Sequence, residues 1–254
     1  MKPRAYCSWS GGKDAALALY RSNDIDIDCL LTNISIAEPD KIPRIAMHGV
    51  RKELLEAQAR AIGLPLETIE LPDQPSMQAY ETALTQKLNA LSARSAALNT
   101  GSTPTIGTPG ARNITHGIYG DIFLEDLRQY REQLLDSIGI TPMFPLWQQS
   151  SDSLINEFLD AGFKAIVVCV DAAKLDQTFC GRLLDRSFVN DLPWDIDPCG
   201  ENGEFHTFVF DGPIFDHPVP FDHGKYVYKE LRAAQAGKPP SGFHFCDLLH
   251  PINV

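Results

Sequence analysis

The first half of the chain repeats one pattern: a short apolar run, a break, then apolar residues at helical spacing. The run at Ala5–Cys7 ends in Ser10-Gly11-Gly12-Lys13-Asp14, and a helix-forming stretch follows from Ala15 to Tyr20. Cys29 to Ile36 predicts a second strand, and Val50 to Ile62 a helix stopped by Gly63 ahead of Leu64-Pro65. Leu66–Leu71 predicts a third strand, Met77–Leu91 a helix, and Ile114–Tyr119 a fourth strand. Leu124–Ile138 predicts a helix ending at Gly139, and Thr141–Trp147 a fifth strand. Such repeated strand–helix units predict an α/β fold, a doubly wound parallel five-stranded sheet with helices on both faces. Ligands bind these sheets at the carboxyl ends of the strands, where Ser10–Asp14 falls.

That turn has the composition of an anion site. Gly11 and Gly12 let the backbone fold tightly and aim several N–H groups at one point. The following helix adds its unsatisfied N–H groups and positive dipole end, and Lys13 adds a full charge. A Walker A loop is excluded, because Cys7 stands where its first glycine belongs and Asp14 where Ser or Thr belongs. Dinucleotide GxGxxG spacing is absent as well. Ser10, Gly11, Gly12, Lys13, Asp14 and Ala15 therefore predict a phosphate cradle. Ala15 brings no hydroxyl to it.

Residues 92–113 break the rhythm. They are rich in Ser, Thr, Ala, Gly and Pro, which predicts a mobile surface excursion, with a substrate lid as the alternative. Beyond Ser150 a helix at Ser153–Ala161 leads into the apolar strand Lys164–Val170, and Leu175–Asp185 predicts another helix. The region after Leu192 is rich in Pro, Gly and His and holds a strand at Phe205–Phe210. These segments divide the chain into a nucleotide-binding domain at 1–149 and a second, smaller α/β domain at 150–254.

At 254 residues the chain is long enough for that arrangement. It contains no run of about 18 apolar residues and no apolar core of signal-peptide length near its start, so a cytoplasmic protein without a membrane span is expected. The six cysteines show no metal spacing, and Cys7, Cys29 and Cys169 lie in strand-like runs that suit buried thiols. A net charge of −11 argues against a broad nucleic-acid surface. The sequence does not fix the oligomeric state, a homodimer being one candidate.

A second constellation lies at Asp197-Pro-Cys-Gly-Glu-Asn-Gly-Glu-Phe-His-Thr207. Strand alternation would put Glu204 and His206 on one face and Phe205 on the other. Glu201, Glu204 and His206 could orient ammonia, take its proton or bind a metal. A polar hairpin with its acids in water is the alternative.

SGGKDA looks like the PP-loop of the ATP pyrophosphatases, which grips the β- and γ-phosphates and leaves the α-phosphate to react. SGGKDA, Gly120-Asp121-Ile122 with Arg128 and Glu132, Pro145-Leu-Trp147, GFKAIVVCV at 162–170, GRLLD at 181–185 and DPCGENGEFHTFVFDGP at 197–213 together resemble the diphthine–ammonia ligase family of diphthamide-synthesis ATP-binding proteins. The resemblance implies an adenine nucleotide alpha hydrolase-like domain, ATP and Mg²⁺. It also implies a carboxylate acceptor, on a protein or free, that is adenylated with loss of pyrophosphate and then amidated by ammonia. Lys13 would stabilise the departing pyrophosphate, and Glu201, Glu204 and His206 would serve the ammonia step. Asp14 would hold magnesium through water, or serve only as a first-turn acid.

Two departures bear on the acceptor. Leu124-Glu125-Asp126-Leu127 stands where relatives carry a Ser-x-Tyr-Gln-like start, and GENGEFHT replaces GEGGEFET, with His206 in place of an acid. Both fall where substrate is expected, so the reaction type is better supported than diphthine as its target. Asn33 and Ser35 are candidates for adenine or ribose contacts. Arg44 and His48 are candidates for phosphate or substrate, His48 alternatively as a structural hydrogen-bond partner. Gly120 and Asp121 fall where backbone groups approach a nucleotide, with Asp121 also a candidate helix cap. Trp9 and Trp147 are expected in the core. A tRNA-modifying PP-loop enzyme and a nucleotide-binding protein without turnover are the competing functions.

Overall fold

The computed structural model describes residues 2–36, 49–72, 75–100, 114–231 and 241–251. The first half forms β1 (Arg4–Ser8), α1 (Lys13–Arg21), β2 (Asp26–Ile36), α2 (Lys52–Ile62), β3 (Leu66–Pro72), α3 (Met77–Thr100), β4 (His116–Ile118), α4 (Glu125–Asp136) and β5 (Thr141–Met143). All four strand pairings are parallel, in the order β3-β2-β1-β4-β5. The strand order reverses between β1 and β4, so their carboxyl ends flank the crevice where this architecture binds ligands. Gly63 closes α2 in the left-handed region at φ 80°, as its position predicts.

The second half contains α5 (Ser151–Asp160), β6 (Lys164–Asp171), α6 (Arg186–Asp191), β7 (Phe205–Asp211), β8 (Asp222–Leu231) and β9 (Ser241–Leu249). Its smaller sheet is antiparallel, in the order β7-β6-β9-β8. Ser150 caps α5 by accepting from the Ser153 N–H. One apolar cluster joins the halves: Ala16 and Leu17 of α1, Leu54 and Leu55 of α2, Val167 of β6 and Phe208 of β7 all belong to it. Among the described residues no helix is long and apolar enough to cross a membrane. All six cysteines are buried and unpaired by disulfides.

Two expectations need correction. Residues 92–100 continue α3 rather than beginning an excursion. Their Ala, Leu and Arg content favours helix, and the Gly- and Pro-rich part starts only at Gly101; residues 101–113 lie outside the described residues. Leu175–Asp185 is not one helix but a 3₁₀ turn at Gln177–Phe179 followed by chain that pairs with β6. Gly181, at φ 82°, turns the backbone so that its N–H reaches the Val167 carbonyl at 2.7 Å and the Val167 N–H reaches the Arg182 carbonyl at 2.9 Å. Those bonds to a strand replace the helical ones.

Candidate active site

A cavity of about 720 Å³ opens at the switch point, within the range of small-molecule sites. Its walls come from the β1–α1 loop (Ser10, Gly12, Lys13, Asp14), the β4–α4 region (Tyr119, Gly120, Asp121) and the segment before β7 (Glu201, His206). The structure thus brings together two stretches nearly 200 residues apart in sequence.

The loop is held from below. Gly11, at φ 77°, turns its carbonyl to the Val209 N–H at 2.9 Å and the Gln58 side-chain amide at 3.0 Å. A Cβ there would stand 2.8 Å from Gln58 Oε1 and from Leu55, so the position admits only glycine without rearrangement. Gln58 is fully buried and also donates to the Val209 carbonyl at 2.6 Å and accepts from Trp9 Nε1 at 2.9 Å. Trp9 is core, as expected. The Gly12 N–H donates to Ser10 Oγ at 3.3 Å and the Lys13 N–H to Thr207 Oγ1 at 3.1 Å. The N–H groups of Asp14 and Ala15 remain at the cavity end of α1 with no carbonyl one turn earlier to accept them.

Lys13 is 5% exposed and its ammonium lies 2.8 Å from both carboxylate oxygens of Asp14. Burial disfavours its charge, but Asp14 and, less strongly, Glu201 outweigh that and hold its pKa above the ordinary lysine value. Lys13 therefore keeps its charge in the cavity wall. Gly120 packs against the first turn of α1: a Cβ there would be 2.7 Å from the Asp14 carbonyl carbon and 3.0 Å from the Ala15 nitrogen.

Glu201 Oε1 accepts from the Ile122 and Phe123 N–H groups at 3.3 and 3.2 Å, tying the second constellation to the β4–α4 loop. Burial, with Asp14 adding to it, raises its pKa above the ordinary glutamate value. His206, on β7, is pushed down to about 4 by burial and by Lys13, so its imidazole is neutral at pH 7.

Glu204 departs from the expected pairing with His206. Strand β7 begins only at Phe205, and the Glu204 carboxylate turns instead to the backbone and side-chain N–H groups of Asn202 at 2.9 and 3.1 Å and to Lys174 at 3.5 Å. It is 2% exposed and does not line the cavity, because the Gly203 turn at φ 78° folds it beneath its own loop. Asp121 is not a helix cap: α4 starts four residues later behind Leu124, and Asp121 pairs with Arg131 at 2.7 Å. Asn33 and Ser35 lie on β2 and are not part of the cavity wall. Trp147 is half-buried beneath Arg128, whose guanidinium is 4.6 Å from its ring centre. Arg44 and His48 lie outside the described residues. Among the described residues no group of three or more His, Cys, Asp or Glu could hold a metal ion.

Gln58, Thr207 and Arg131 were not singled out by sequence reasoning. Gln58 had a signal, an amide set among the alanines and leucines of the buried face of α2; Thr207 and Arg131 had none.

Comparison with known proteins finds matches to both halves of the chain. Residues 3–102 match the diphthamide synthase N-terminal domain and residues 150–235 the diphthamide synthase C-terminal domain. Curated relatives named diphthine–ammonia ligase include the human protein, 28% identical over 138 residues, covering 52% of this chain and 51% of the relative. The mouse protein is 28% identical over 132 residues, covering 48% and 47%. The Schizosaccharomyces pombe protein is 28% identical over 120 residues, covering 42% of this chain and 20% of the relative. The matches thus span about half the length of the mammalian relatives. With both family domains matched in order, one carrying the Ser10–Asp14 loop and the other Glu201 and His206, the chain belongs to the diphthamide synthase family.

Proposed function

We propose that this protein is an ATP-dependent carboxylate–ammonia ligase, with residues 1–149 binding the nucleotide and residues 150–254 serving acceptor and ammonia. The observation that carries this reading is the single cavity in which a phosphate loop faces Glu201 and neutral His206. A carboxylate oxygen of the acceptor attacks the α-phosphorus of ATP, breaking the bond to the bridging oxygen and releasing pyrophosphate. Ammonia then attacks the acyl carbon, AMP leaves, and one proton is released with the amide.

Ser10, Gly11, Gly12 and the first turn of α1 cradle the β- and γ-phosphates. Lys13 exchanges Asp14 for phosphate and stabilises charge on the departing pyrophosphate. The carboxylate that Lys13 gives up would then suit a Mg²⁺ ion, which takes one or two protein carboxylates alongside phosphate oxygens. When bound, that ion neutralises phosphate charge. Glu201 and His206 orient ammonia, and the negative charge of bound nucleotide raises the proton affinity of His206 towards the working range. Glu204 shapes the loop that presents them. The acceptor is a carboxylate, with diphthine one member of that class.

Labelled ammonium tests this reading. Protein incubated with ATP, magnesium and a cell-derived carboxylate pool should transfer the nitrogen label into one compound or protein residue as an amide. A label that never leaves ammonium, with the pool known to hold the acceptor of a related ligase, would count against it.

A further inference from the structure

Two arginines one turn apart on α4 are used differently. Arg128 lies over the rings of Trp147 and Phe144, at 4.6 and 5.3 Å, pairs with Glu132 at 2.8 Å and is not part of the cavity wall. Arg131 lines the cavity. Its Nε and Nη2 donate to the two carboxylate oxygens of Asp121 at 2.7 and 3.4 Å, and its guanidinium lies 4.2 Å from the centre of the Tyr119 ring. Nη1 is left without a hydrogen-bond partner among the described residues.

This fork is already fixed in plane by Asp121 and Tyr119, so binding an anion costs it little further freedom. It also stands on the β4 side of the switch point, whereas Lys13 stands on the β1 side. A nucleotide cut between its α- and β-phosphates yields two separable anions, pyrophosphate and a nucleoside monophosphate. We propose that Arg131 binds the α-phosphate through Nη1, so that the loop side of the cavity holds pyrophosphate and the Arg131 side holds the phosphate of AMP. The inference rests on the adenylating reading given above. In that reaction Arg131 opposes the charge that builds on the α-phosphoryl oxygens during attack.

Calorimetric titration of the full chain with AMP and, separately, with magnesium pyrophosphate tests the assignment. Arg131→Gln should weaken AMP about 10- to 100-fold, the worth of a charge-assisted hydrogen bond, and leave pyrophosphate unchanged. Lys13→Ala should do the reverse, and Arg128→Gln should move neither. Because Arg131→Gln strands Asp121, the same split should appear in Arg131→Lys, which keeps the charge but loses the fork, and in Asp121→Asn/Arg131→Gln, which removes both charges. In the unaltered protein, AMP but not pyrophosphate should protect Arg131 from an arginine-specific dicarbonyl reagent, read by peptide mass spectrometry. Unchanged AMP binding in the variants, equal weakening of both ligands, or no protection by AMP overturns the proposal. Unaltered protein that binds neither AMP, pyrophosphate nor ATP overturns the ligase reading instead.

Discussion

The backbone N–H of Lys13 donates to the hydroxyl of Thr207, 3.1 Å away across the junction of the two sheets. The first N–H of α1 is therefore spent on β7, and it ties the β1–α1 loop to the strand that carries His206. Together with the bond from the Val209 N–H to the Gly11 carbonyl, it sets the two halves of a proposed reaction in register.

Thr207→Val removes that acceptor while keeping the shape, and leaves a buried N–H unpaired. We expect a loss of about 1–3 kcal/mol in urea unfolding, with Thr207→Ser recovering most of it. A change below the error of the extrapolation would show that the bond does not hold the loop.

Gln58→Leu should cost on the order of 2–3 kcal/mol, because the buried Trp9 indole N–H and the Val209 carbonyl both lose their side-chain partner. The Gly11 carbonyl keeps its bond from Val209 but loses the one from Gln58, so ATP affinity should fall as well. Chemical denaturation and nucleotide titration read the two effects separately.

Gly120→Ala puts a methyl group against backbone atoms of Asp14 and Ala15, which cannot swing aside as a side chain would. Overpacking of this kind costs about 1–3 kcal/mol. Here it should also spread the cavity mouth and weaken ATP binding. Gly139→Ala, where nothing lies within 4 Å of the added carbon, should leave nucleotide binding intact.

His206 makes stability depend on acid. Its folded-state pKa of about 4 lies below the ordinary value of 6.5, so between those values the unfolded chain binds a proton that the folded chain refuses. The protein should lose stability as pH falls through that window, by up to about 1.4 kcal/mol per pH unit from this group. His206→Gln should flatten the slope. Proton NMR should find the ring neutral at pH 6, with its pKa moving upward when ATP is added.

The parallel sheet was legible because apolar runs such as Ala5–Cys7 and Cys29–Leu31 alternate with stretches at helical spacing, of which α2 ends at Gly63. The turn between β1 and α1 was legible because its glycines, Gly11 and Gly12, stand together directly after an apolar run. Strands β8 and β9 were not, since Tyr226, Val227 and Tyr228 of β8 are all largely exposed and its pairing with β9 gives no inward–outward pattern to read. Glu204 shows the limit of strand alternation: one glycine at positive φ redirected the acid from the cavity to Lys174. Arg131 and Arg128 look alike in sequence, and only the packing of α4 separates the cavity cation from the one stacked on Trp147.

ATP labelled in parallel at the α- and γ-positions distinguishes cleavage at the α-phosphate from cleavage at the γ-phosphate. With magnesium, ammonium and an acceptor pool, cleavage at the α-phosphate should give AMP and pyrophosphate in equal amounts, both lost in Lys13→Ala. ADP and orthophosphate as the products, or bound ATP that is never cleaved, would contradict it.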